Sequence, residues 1–86
     1  MYIKFNSFAE WINKASQIVG ISPGGVARDF GVTRQTVHNW TKADIIDAYI
    51  YQGEEGLYVL HDREQYHRII EHMNNTSYYN QRRKKE

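Results

Sequence analysis

Arg34, Gln35, His38 and Asn39 carry heads that make directional hydrogen bonds, and their spacing places them along one strip of a helix. On such a strip a guanidinium makes a bidentate contact with guanine. A carboxamide from Gln35 or Asn39 pairs with adenine, and the His38 imidazole donates to a base edge or a phosphate. Ser22, Thr33, Thr36, Thr41 and Lys42 lie nearby in sequence as candidate phosphate contacts, which set orientation rather than sequence preference. No Asp or Glu falls between Phe30 and Ala43, and close approach to a polyanion needs such a carboxylate-free stretch.

Other chemistries find little support. The four histidines have no cysteine beside them; His67 and His72 are five apart, on different faces of a helix, and no HExxH spacing occurs. We expect no metal and no cofactor. Gly24-Gly25 is too short for a phosphate loop and has no lysine after it, and neither a nucleophile elbow nor a paired-carboxylate site is present. The expectation is a protein that is not an enzyme.

The elements that must position the strip are legible from caps and periodicity. Thr33 caps a helix over 33–42 whose inward positions are Val37 and Trp40. Ser22 and Pro23 supply the cap and first residue of a short helix that ends before Gly31. Ala27 is small enough for two helices to cross there, Gly31 tolerates positive φ in the turn, and Val26, Phe30, Val32, Val37 and Trp40 face inward. This spacing resembles the helix-turn-helix family over its whole characteristic stretch of about twenty residues, and Gly-Val-Thr-Arg-Gln-Thr-Val-His-Asn-Trp looks like its turn and recognition helix.

Upstream, Ser7 and Glu10 match a capping box ahead of a helix over 7–19 with Phe8, Trp11, Ile12, Ala15, Ile18 and Val19 on one face, closed by Gly20 in a left-handed conformation. Downstream, residues 48–51 and 57–60 are β-branched and aromatic runs around Gln-Gly-Glu-Glu-Gly, a hairpin composition. Asp62 and Gln65 form a second capping box, opening a helix with Tyr66, Ile69, Ile70 and Met73 as its apolar stripe and ending near 74–75. The order helix, helix, helix, hairpin, helix predicts a mainly α fold with a small β-hairpin. With Ile45-Ile46 and the Asp-capped last helix it resembles the MerR and excisionase type of winged helix-turn-helix found in small bacterial, phage and plasmid regulators. An extra helix precedes the motif, Asp44 stands where that family commonly has glycine, and Glu54 and Glu55 at the hairpin tip suit a structural or protein-contacting wing better than a phosphate-contacting one.

The 86 residues allow one domain, expected over 1–75, followed by a flexible basic tail over 76–86. A hydrophobic fraction of 41% and seven Tyr, three Phe and two Trp supply a small core. The net charge of +1 hides the cluster Arg82, Arg83, Lys84 and Lys85, further candidate phosphate contacts, so the body is slightly acidic and binds DNA weakly through charge alone. No stretch approaches the roughly 18 apolar residues of a membrane span, the N-terminus lacks a signal-peptide pattern, and the absence of cysteine suits a reducing compartment. The expected setting is the cytoplasm of a bacterial host cell, at the nucleoid.

Together these features predict a sequence-specific double-stranded DNA-binding protein, a small transcriptional repressor with helix 33–42 in the major groove. One such helix covers few base pairs, so a homodimer on paired half-sites is expected, through Phe5, Phe8 and Trp11 or through Tyr66, Ile70 and Met73. The alternatives are an architectural DNA-binder, such as an excisionase-like recombination factor or partition protein, and a protein-binding adaptor that uses Glu54, Glu55, Tyr49, Tyr51 and Tyr58 of the hairpin.

Overall fold

The hairpin runs are the centre of a larger sheet. The computed structural model describes residues 1–85, with side chains described through residue 75. Its elements are β1 (Tyr2–Lys4), α1 (Phe8–Ala15), β2 (Gly20–Ile21), α2 (Pro23–Phe30), α3 (Arg34–Lys42), β3 (Ala48–Gln52), β4 (Leu57–Asp62), one 3-10 turn (Arg63–Gln65) and α4 (Tyr66–Lys85). Strand order is β1-β3-β4-β2, with β1 parallel to β3 and the other pairs antiparallel. About half of the chain is helical, and the fold is a mixed α/β one rather than mainly α with a lone hairpin.

Both added strands are short and depend on distant partners. Tyr2-Ile3-Lys4 alternates exposed and half-buried positions but becomes a strand only by pairing with Ala48, Tyr49 and Ile50. Gly20 and Ile21 pair with Asp62 and His61. That pairing draws the chain out of α1, which stops at Ala15 instead of 19. Ser16 caps it with helical φ of −75°, and its hydroxyl donates to the Asn13 carbonyl at 2.8 Å. Gly20 is therefore not a left-handed cap. A Cβ there would come within 3.1 Å of the Leu60 side chain, so its smallness serves strand packing.

The register assigns the two faces of the sheet. Tyr2, Ala48 and His61 are register neighbours, as are Ile50 and Val59, and they face α3. Tyr49, Tyr51 and Tyr58 face α1, whose Phe8 ring lies 6.0 and 5.4 Å from those of Tyr51 and Tyr58 and whose Trp11 Nε1 donates to the Tyr49 carbonyl at 2.9 Å. Only Trp11 of the α1 stripe is buried; Phe8, Ile12 and Val19 remain exposed.

On the other side, Val26 and Ala27 of α2, Val37 and Trp40 of α3, Ile46, and Ile69 of α4 form the main core. Each fully buried Val or Ile contributes about 1.5–3 kcal/mol. Phe30, Val32, Tyr66 and Met73 pack against this cluster, whereas Ile70 is exposed. Asp62 opens the segment before α4 by accepting the Glu64 N–H at 3.0 Å. Gln65 does not complete a capping box: it receives the Asp47 N–H at 2.8 Å and donates to the Asp47 carboxylate at 3.0 Å. The helix expected to end near 74–75 continues to Lys85, since no Gly or Pro follows Tyr66 to break it.

Candidate nucleic-acid interface

The α2–α3 corner is built from local signals that agree. Ser22 has extended φ and ψ, and its hydroxyl accepts the Gly25 N–H at 3.0 Å; Thr33 does the same for Thr36 at 3.1 Å. Between them Gly31 adopts φ 65°, letting the Val32 N–H reach the Ala27 carbonyl at 2.9 Å and its own N–H reach Arg28 at 3.3 Å, the paired bonds of a Schellman ending. The α3 C-terminus repeats the pattern with Asp44 at φ 62°: the Ile45 N–H bonds Trp40 at 3.0 Å and the Asp44 N–H bonds Thr41 at 3.1 Å. Asp44 thus holds a left-handed backbone that a residue with a Cβ adopts only at a cost.

Val37, Trp40 and Thr41 form the buried side of α3, while Arg34, Gln35, His38, Asn39 and Lys42 are exposed. Gln35 Nε2 donates to Asn39 Oδ1 at 3.1 Å, so the two carboxamides form a connected pair with donor and acceptor atoms left over. His38 turns toward the sheet, where its Nδ1 shares a hydrogen bond with the Tyr2 hydroxyl and the rings lie 5.6 Å apart. Arg34 folds toward the start of α2: a Cβ on Gly24 would be 2.9 Å from its Nη2. Among the described residues no carboxylate pairs with Arg34.

Thr41 is misplaced by the sequence reading. It is 1% exposed and its hydroxyl donates back to the Val37 carbonyl at 3.0 Å, so it faces the core and meets no phosphate. Ser22, Thr33 and Lys42 are exposed and Thr36 is half-buried, leaving these four at the surface near the first turns of α2 and α3 and the end of α3. The side chains of Arg82, Arg83, Lys84 and Lys85 lie outside the described residues.

The chain matches no protein-family model, no curated protein and no solved structure.

Three features around α3 escaped the sequence reading. The N-terminal ammonium donates to the Thr41 and Ile46 carbonyls, each at 2.7 Å, and lies 3.3 Å from the Asp44 carboxylate. His61, 3% exposed, donates from Nδ1 to the Asp47 carbonyl at 2.9 Å. Burial pushes its pKa below the ordinary histidine value, against the bond to Asp47, which raises it, and with the N-terminal charge, which lowers it further. Third, the β1 contact to His38 needs a strand that only tertiary pairing creates. The alternation Leu57, Val59, His61 was the available signal for the buried histidine. Elsewhere His67 Nδ1 bonds the Glu64 carbonyl at 2.8 Å, and Glu54 and Glu55 stand exposed in the turn between β3 and β4. Among the described residues no helix is long and apolar enough to cross a membrane.

Proposed function

We infer that this is a sequence-specific double-stranded DNA-binding protein that acts as a small transcriptional repressor, with α2 and α3 as its helix-turn-helix and the β3–β4 hairpin as its wing. The observation that carries this reading is the division of α3: Val37, Trp40 and Thr41 lock one side into the core, while Gln35, His38, Asn39 and Lys42 stand together on a carboxylate-free outer side. A rigid helix offering amide and imidazole groups suits base-edge readout in the major groove. Arg34 reads a flanking guanine or its phosphate, with its guanidinium starting over Gly24. Ser22, Thr33, Thr36 and Lys42 contact the backbone.

Specific binding calls for two copies on paired half-sites. Of the residues expected at the dimer surface Trp11 is buried, and Phe8 with Ile12 and Tyr58 forms the exposed apolar surface on the α1 side of the sheet that supports a homodimer; Tyr49 is buried too, so the adaptor reading rests on Tyr58, Glu54 and Glu55. Selection of bound duplexes from random DNA separates them. An enriched palindromic site, lost at least about tenfold in affinity by Gln35→Ala with Asn39→Ala, is the expected result. Failure of any sequence to enrich removes the DNA-reading proposal, and an extended phased array of sites moves it to an architectural binder.

A further inference from the structure

Between α3 and the facing side of the sheet lies a cavity of about 190 Å³. Val37, Ala48, Ile50 and Val59 give it apolar walls, and no Asp or Glu lines it. Its size is close to the roughly 150 Å³ at which an apolar protein cavity takes up benzene, so one ring fits. Of the polar residues that also line it, Tyr2 and His38 bond each other and Thr41 bonds the Val37 carbonyl, which leaves Arg34 and His61. Arg34 at the edge is the permanently charged lining residue, has no carboxylate partner among the described residues and is exposed enough to reorient. His61 is 97% buried (3% exposed), and its Nδ1 must be protonated because it bonds a backbone carbonyl. Its Nε2 is thereby left an acceptor, and since no buried side-chain nitrogen or oxygen among the described residues lacks a partner, that atom is one that solvent in the cavity reaches. Two complementary features mark an occupant: an anionic group for Arg34 and a hydrogen-bond donor that replaces solvent at His61.

We propose that this cavity binds a one-ring hydroxylated aromatic carboxylate, the ring against Val37, Ile50 and Val59, the carboxylate on Arg34 and the ring hydroxyl donating to His61 Nε2. Arginine suits the carboxylate because its planar fork binds both oxygens at once. The Tyr2–His38 pair also lines the cavity, so an occupant touches Arg34 and His38, two of the side chains assigned to DNA. The site does not rest on the DNA-binding reading.

The test is a titration of the DNA-free protein with the three hydroxybenzoate isomers, benzoate and phenol, followed by backbone amide chemical shifts. At least one hydroxybenzoate should saturate below about 10 mM, a range ordinary for so small a ligand, with shifts concentrated at Val37, Ile50, Val59 and His61. Benzoate and phenol should each bind at least about fivefold more weakly, and Arg34→Gln should weaken the hydroxybenzoate by about tenfold while leaving phenol unchanged. Arg34 is exposed, so this variant keeps the fold, which its unchanged amide spectrum verifies. Absence of saturation, shifts at another surface, or a phenol or benzoate affinity equal to that of the best isomer overturns the proposal. Because no DNA is present, the result stands whatever the duplex selection gives.

Discussion

The Tyr2 hydroxyl on β1 and His38 Nδ1 on α3, 36 residues apart in sequence, share a hydrogen bond across the open side of the sheet. An edge strand thus holds one of the candidate base-reading side chains. The contact is exposed, so its worth is modest: a double-mutant cycle of Tyr2→Phe and His38→Ala, read by urea unfolding of the free protein, should give a coupling of about 0.5–1 kcal/mol. Strict additivity would show that the bond contributes nothing to holding α3.

Gly31 and Asp44 occupy the same left-handed backbone at the ends of successive helices, and substitutions there should act in opposite directions. A Cβ at position 31 meets nothing within 4 Å, so Gly31→Ala pays only for backbone conformation and should lower stability by about 1–2 kcal/mol. Asp44→Gly should raise it by up to about 1 kcal/mol, less whatever the contact with the N-terminal ammonium contributes, and Asp44→Val should lower it by about 1–2 kcal/mol. Urea midpoints at constant slope provide the measurement.

Tyr66 donates its phenolic hydrogen to Asp29 Oδ2 at 2.7 Å, joining α4 to α2. Burial first, then this bond and the Asp29 charge, push the phenol up to about 12 from 10.0. The folded state holds its proton more tightly than the unfolded state, so stability from this group is complete below pH 10 and is lost as pH rises toward 12. Tyr66→Phe should cost about 1 kcal/mol at neutral pH and flatten the alkaline decline. An equally steep decline in the variant would exclude Tyr66 as its source.

His61 should govern the acid side. Its folded pKa is lowered, chiefly by burial, from 6.5, so the unfolded chain takes up the proton first and stability falls as pH drops through about 6.5. His61→Gln should remove part of that slope between pH 7 and 5. A slope identical to that of the parent protein would show that the fold relaxes enough to solvate the charged ring.

The parts of the fold legible in the sequence are those whose causes lie within a few residues. Ser22, Pro23, Gly31 and Thr33 cap and break α2 and α3 by contacts with near neighbours, and Val26, Val37 and Trp40 announce the buried side by spacing alone. The strands at both sheet edges were not legible because Tyr2–Lys4 and Gly20–Ile21 owe their conformation to Ala48–Gln52 and Leu57–Asp62. Gly20 misled for the same reason, since a glycine that avoids Leu60 looks like one that ends a helix. Thr41 misled because its polarity suggested solvent, whereas it sits one turn after Val37 and satisfies its hydroxyl inside the helix.

The parallel pairing of β1 with β3 also orders events in time. All of α1, β2, α2 and α3 lies between the two strands, so closing this ladder carries a large loop-closure cost, whereas the α2–α3 corner needs only contacts between adjacent segments. The corner should therefore form early and β1 dock last. By the same reasoning β1 should be among the first segments to detach in the native state, with amide hydrogens in Tyr2–Lys4 exchanging faster than those of Val37 and Trp40. Each such opening frees His38 while leaving the rest of α3 seated, giving the reading helix a reversible local change that does not require the molecule to unfold.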